Sequence, residues 1–172
     1  MGYYLIIALF VGLDQWSKMW TRSHMALHES IPLIPDIFHL TYVHNYGAAF
    51  SILQNKQVFL ILITACAIAL ILIYIFTERK HMSAWVLVSL SLVAGGGIGN
   101  LIDRIVNGYV VDMLDFRLWS PVFNVADIGV TCGCILLILS IFFADSPRKV
   151  RRKRLKEKSK PNEQKTHDRE NH

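Results

Sequence analysis

VFLILITACAIALILIYIF, residues 58–76, is a run of 19 amino acids without a charge. At about 1.5 Å of rise per residue, a helix of that length spans roughly the 30 Å hydrocarbon core of a bilayer. Outward from it lie three further candidates. IGVTCGCILLILSIFFA, residues 128–144, is an uncharged run of 17, extended at its start by Val125 and Ala126 around Asp127. Ala84–Leu101 is softer, because it contains Ser89, Ser91, Gly95, Gly96, Gly97, Gly99 and Asn100. Tyr3–Leu13 is apolar and continues through Asp14, Gln15, Trp16, Ser17 and Lys18. It has no basic stretch before it and no small-residue cleavage site after it, so it reads as a retained span rather than a leader. The expected fold is an all-α membrane protein with four transmembrane helices at about 3–20, 58–76, 84–104 and 125–144.

Composition agrees. Of 172 residues, 53% are apolar and 18% charged, against roughly 25% charged in an ordinary soluble domain. Global disorder is excluded. The three cysteines, Cys66, Cys132 and Cys134, lie inside apolar runs, where a thiol reads as a small buried hydrophobe rather than half of a disulfide. The net charge of +5 is unevenly placed: residues 145–172 carry +6 and residues 1–144 carry −1. A nucleic-acid-binding face on the body is therefore excluded, and the tail reads as a solvated, disordered, basic extension. The domain division expected is a four-helix membrane domain, 1–144, and a basic, disordered cytoplasmic tail, 145–172.

The same charges orient the bundle. Arg and Lys residues crowd the tail from Arg148 to Lys160, which places the C-terminus in the cytoplasm. Four spans then put the N-terminus there too, along with the turn holding Arg79 and Lys80. The connections about 21–57 and 105–124 lie outside. In the first, Phe38, Leu40 and Tyr42 alternate with His39, Thr41 and Val43, a period of two that predicts a short strand. Pro32 and Pro35 preclude a helix before it, and Asn45-Tyr46-Gly47 reads as a turn re-entering apolar Ala48-Ala49-Phe50. A small extracytoplasmic β platform and loop are expected.

Charged groups in or beside apolar helices cost at least a few kcal/mol each and are functional candidates. Asp14 and Lys18, Asn100, Asp103 and Arg104, and Asn124 and Asp127 all fall at the outward ends of their spans, at one depth. Asp14 and Lys18, four apart, share a helix face; so do Asn100, Asp103 and Arg104. Asp14–Lys18 and Asp103–Arg104 are equally well read as structural pairs. Asp112, in apolar Tyr109–Leu114, and Asp127 have no basic residue within three positions. Two such acids at one depth suggest a pair sharing one proton, one carboxylate taking a proton from water while the other donates to a carbonyl. Metal chemistry fits worse: there is no His-Glu-x-x-His, and His24 and His28 lack an obvious third ligand. Gly95 to Gly99 reads as a Gly-x-x-x-Gly helix-packing stretch, not a phosphate loop.

The segments Asp14–Lys18, Asn45–Phe50, Gly99–Arg104, Val110–Asp112 and Phe123–Asp127, in that order, resemble those of the bacterial lipoprotein signal peptidase family, also called signal peptidase II. The resemblance covers residues 1 to about 144. It implies an aspartyl intramembrane endopeptidase of the bacterial plasma membrane, active near the outer face. Such an enzyme removes signal peptides from prolipoproteins, just before a cysteine carrying diacylglycerol. By motif position Asp112 and Asp127 are the catalytic pair. Asn45, Gly47, Asn100, Arg104 and Asn124 form the shell around substrate and pair, and Asp14, Lys18 and Asp103 are supporting. The resemblance implies no metal and no cofactor. The partners expected are diacylglyceryl-modified prolipoproteins and membrane lipid, with no nucleic acid and a monomeric chain. Met113 departs from the Phe common after the acid in the family, and Asp115 lies outside the matched pattern. Two rivals stay open on the residues alone: a small transporter or proton relay, and an assembly partner in which the acids merely pair with Arg104 or Lys18.

Overall fold

A computed structural model describes residues 2–47, 56–118 and 121–144. The expected re-entry at Ala48–Phe50 and the tail 145–172 lie outside the described residues. Four helices, α1 (Gly2–His24), α2 (Gln57–Glu78), α3 (Ala84–Asn107) and α4 (Val125–Ala144), are joined by a four-stranded antiparallel sheet. Its strands are β1 (Ser30–Ile34), β2 (Phe38–Asn45), β3 (Val110–Phe116) and β4 (Val122–Phe123), in that spatial order. Contacts divide the chain into two units, Met1–Leu137 and Ile138–His172, and the sheet and all the site residues belong to the first.

Three helices, α2, α3 and the stretch Val125–Phe143 of α4, are long and apolar enough to cross a membrane. α1 has the length, but Asp14, Gln15, Ser17 and Lys18 interrupt its apolar sequence. The thiols are exposed on the outer faces of α2 and α4, not buried. An apolar run does not say which of its sides faces protein, and a helix in lipid has no need of a polar outer face.

α3 is the central helix, and its glycines make it so. A methyl on Gly95 would meet Phe10 Cβ at 3.2 Å, one on Gly97 would meet Ile68 Cγ1 at 3.1 Å, and one on Gly96 would meet the Ala126 carbonyl. Bare backbone thus admits α1, α2 and α4 on three sides, the close packing that small residues allow in membranes. Ser83 starts α3 by accepting the Val86 N–H, and Gly108 ends it in the left-handed region at φ 77°, its N–H bonding the Arg104 carbonyl. That turn throws the chain into β3. Replacing Gly108 with Ala should cost about 1–2 kcal/mol, since a Cβ is strained there even though space is open. Gly108→Asn should lose less; denaturation midpoints in detergent check the order, and equal midpoints would refute it.

The predicted strand 38–43 is the middle of β2, and the platform is larger than the alternation indicated. β3 is buried on both sides. One side carries Val111 and Met113 into an apolar cluster with Met25 and Tyr42, so the Met113 departure fills core volume. The other side carries Val110 and Asp112. Asn45 pairs with Val110 and Val43 with Asp112, which places Asn45 diagonally beside Asp112 on that side.

Candidate active site

Asp112 reaches the site from β3 and Asp127 from the first turn of α4. Asn124 joins them. It caps α4: its Oδ1 accepts the Asp127 N–H at 2.9 Å, while Asp127 Oδ2 accepts the Asn124 N–H at 3.2 Å. This reciprocal arrangement is a capping box made from Asn and Asp. The remaining arm of Asn124, Nδ2, donates to Asp112 Oδ1 at 2.6 Å. One buried amide therefore fixes both acids. The outer oxygens receive further amides: Asn45 Nδ2 donates to Asp112 Oδ2 at 3.0 Å and Asn100 Nδ2 to Asp127 Oδ1 at 2.9 Å. Asn45 is itself held, because its Oδ1 accepts the Gly47 N–H at 2.9 Å in a tight turn.

Among the described residues neither Asp112 nor Asp127 has a Lys or Arg within ion-pairing distance. Burial pushes the Asp112 carboxyl up to about 7, the Asp127 charge pushes in the same direction, and the Asn45 and Asn124 amides and Lys18 oppose them.

The other sequence candidates lie directly behind. Lys18 is fully buried and bonds Asp14 at 2.9 Å, Asp103 at 3.2 Å and Asn100 Oδ1 at 2.9 Å. The Asp14–Lys18 pair expected from spacing is present. Asp103, however, pairs with Lys18 rather than with Arg104. Arg104 instead donates to the carbonyls of Gly47 at 3.0 Å and Asn100 at 3.3 Å, tying α3 to the end of β2. Gln15, three before Lys18 and not among the candidates that charge singles out, also belongs to this group: its amide donates to the Gly99 carbonyl at 3.1 Å and to Asp103 at 3.3 Å. Asp115 turns to the opposite side of β3, where it accepts from Thr41 at 2.8 Å and pairs with Arg117.

Asp112, Asp127, Asn45, Asn100, Arg104 and Asn124 line one end of a cavity of about 480 Å³. Its other end is apolar, with Ile63, Ala67, Ile68 and Ile71 of α2 facing Val93, Gly97 and Val130. Two buried carboxyl groups at the polar end of an apolar slot are an arrangement that can accommodate an apolar peptide beside acid and base groups.

A sequence model of signal peptidase II matches residues 6–143. The chain belongs to the signal peptidase II family. It is similar to the lipoprotein signal peptidase of Halothermothrix orenii, with 49% identity over 139 residues, 81% of this chain and 94% of that one. The counterpart from Brevibacillus brevis is 49% identical over 143 residues, 83% of this chain and 95% of its own. A solved bacterial membrane enzyme superposes with a TM-score of 0.79 at 31% identity, covering 84% of this chain and 90% of that one. Signal peptidase II membership makes the chain a protease of bacterial membranes, and the resemblance read from its motifs holds.

Proposed function

We propose that this chain is an aspartyl endopeptidase that cuts diacylglyceryl-modified prolipoproteins just before the lipidated cysteine, with Asp112 and Asp127 as the catalytic pair. The lipoprotein signal peptidases it is similar to support the substrate class. The observation that carries the mechanism is the shared Asn124, which binds both carboxylates on one cavity wall, Asp112 through its side-chain amide and Asp127 through its backbone N–H. An acid merely paired for assembly has a cation partner; these have none within ion-pairing distance among the described residues.

The chemistry balances without a metal or cofactor. Asp127, ionised, removes a proton from water as its oxygen bonds to the scissile carbonyl carbon. Asp112 gives its proton to the carbonyl oxygen, and a gem-diol results. Asp127 then passes its new proton to the amide nitrogen, the C–N bond breaks, and Asp112 takes back a hydroxyl proton as the new carboxylic acid forms. Asn45, Gly47, Asn100, Arg104 and Asn124 hold the pair and the substrate backbone; Asp14, Lys18 and Asp103 support them.

We place the chain in the bacterial plasma membrane with four spans within residues 1–144, followed by a cytoplasmic tail. α1 serves as the fourth span because its polar side chains turn inward. Asp14 and Lys18 are fully buried, while Tyr4, Leu5, Leu9, Leu13, Trp16 and Trp20 are exposed. The basic tail sets both termini in the cytoplasm and the site near the outer face, where water is available. The chain works as a monomer and binds no nucleic acid.

The test is cleavage of a diacylglyceryl-modified prolipoprotein in detergent, with the product N-terminus read by mass spectrometry. The expected cut leaves the modified cysteine first, with EDTA without effect. On its alkaline side kcat/KM, which reports the free enzyme, should fall as pH rises through about 7, because Asp112 then loses its proton. A cut elsewhere, inhibition by chelation, or a rate flat from pH 5 to 9 overturns the reading.

A further inference from the structure

Lys18 touches neither carboxylate of the pair, yet everything that holds the pair from behind meets at its ammonium. Its three hydrogens are matched by three acceptors, Asp14 Oδ2, Asn100 Oδ1 and Asp103 Oδ2. The two acids each grip a particular backbone N–H. Asp14 Oδ1 accepts from Ala126 at 2.8 Å and Asp103 Oδ2 from Val111 at 3.0 Å. Ala126 immediately precedes Asp127, and Val111 immediately precedes Asp112. The third acceptor, Asn100, reaches Asp127 itself.

The Asn100 amide has one chemically allowed orientation here. An ammonium has only donors and an ionised carboxylate only acceptors. An amide between them must turn its oxygen to Lys18 and its NH2 to Asp127. Without the ammonium only the Asp127 side of that constraint remains: the amide can then turn its oxygen to Asp127 whenever that acid is protonated, a state the flipped amide would favour by accepting its proton.

We propose that Lys18 is a positioning residue of the aspartate pair: through the Asn100 amide it holds a donor on Asp127, and so keeps Asp127 as the ionised member that deprotonates water. The inference rests on the aspartate-pair reading above. The charged groups around Asp127 are Lys18 from α1, Arg104 from α3 and Asp112 from β3. Those around Lys18 are Asp14 from α1 and Asp103 from α3. The residues of α2 that line the cavity, Ile63, Thr64, Ala67, Ile68 and Ile71, are uncharged, so no other cation on that side substitutes for Lys18.

The experiment compares the parent with Lys18→Met/Asp14→Asn, a double change that removes one charge of each sign. Asn at 14 can still accept the Ala126 N–H. Asp103 keeps the Val111 N–H and the Gln15 amide but loses its cation, so the midpoint should fall; kinetics are therefore read on the folded fraction, where the variant's KM should stay within about twofold. Its kcat should fall tenfold or more, and the acid limb of kcat/KM should move up by about one pH unit, since Asp127 has lost its fixed donor. A folded double variant with kcat within twofold and an unmoved acid limb overturns the proposal and leaves Lys18 a structural residue. Asn100→Asp provides a second arm should the double variant not accumulate. It keeps an acceptor for Lys18 but turns an oxygen toward Asp127, so its acid limb should also move up; an unmoved limb there overturns the proposal equally. Asp112→Asn and Asp127→Asn are assayed alongside. If either cuts at the parent's rate, the aspartate-pair reading itself fails; if both are dead while the acid limbs of the Lys18 and Asn100 variants stay fixed, only the role of Lys18 fails.

Discussion

Asp112→Asn and Asp127→Asn chains should insert and accumulate like the parent, yet cut a lipid-modified prolipoprotein about 10³-fold more slowly or worse. Asn keeps the shape of the side chain and removes the titrating proton, and a positioned acid or base contributes about 10²–10⁴ in rate. Stability supplies a signature that activity alone lacks. Asp112 titrates at about 7 in the folded chain, against roughly 3.9 unfolded. A carboxyl raised in this way favours the folded state most below its unfolded value, and that contribution is lost as pH rises toward the folded one. Between the two values the loss is about 1.4 kcal/mol per pH unit. Asp112→Asn removes the titration. It also sets an NH2 against one of the two donors that Asp112 accepts, from Asn45 and Asn124, at a cost of about 1–3 kcal/mol. The variant should therefore be the less stable chain at pH 5 and draw level with or pass the parent by pH 7. Denaturation midpoints across that range decide the matter: parallel curves would mean that Asp112 is not a carboxyl held at the edge of ionisation, and a variant that still cuts would end its catalytic role.

How much of this was legible in the sequence depended on the range of the interaction. The spans α2 and α4 were legible because absence of charge over 17 or 19 residues is a local property. The Asp14–Lys18 pair was legible because four residues make one helical turn. Its continuation was not: Lys18 meets Asp103 and Asn100 because Gly95 and Gly99 let α3 come close to α1, and packing distance between helices leaves little trace in spacing. β2 showed its period of two. β3 did not, because a strand buried on both sides has no polar alternation: apart from Asp112, Val110–Leu114 is apolar at every position. The candidate residues could be gathered by type and depth, and the motifs gave them order. What no motif gave was the wiring, in which Asn124 serves both acids and Asp14 and Asp103 each hold the peptide just ahead of one of them.

Gly96→Ala should damage stability and activity together, although residue 96 bears no chemistry. The added methyl would meet the Ala126 carbonyl, with Val130 Cγ2 at 2.9 Å and the Val130 N at 3.1 Å. Two of the three obstacles are backbone, so no rotamer change relieves them, and the first turn of α4 must move away from α3. Overpacking of this kind costs about 1–3 kcal/mol. The movement falls on the segment that matters: Ala126 is held by Asp14, and Asp127 follows it in the capping box with Asn124. A displacement of about 1 Å in a reacting group is worth roughly 10² in rate, so kcat should fall by that order even in molecules that remain folded. Gly97→Ala meets only the Ile68 side chain, at 3.1 and 3.3 Å, which can shift; its cost should be smaller and should appear in KM, since both residues line the apolar end of the cavity. Gly12→Ala meets nothing within 4 Å and should be neutral or slightly stabilising through helix propensity. The ordering Gly96, Gly97, Gly12 in lost midpoint, with only the first lowering kcat, is the expected result. A Gly96→Ala chain with the parent's kcat would mean that the α3–α4 contact does not set the position of Asp127, and that the capping box alone suffices to hold it.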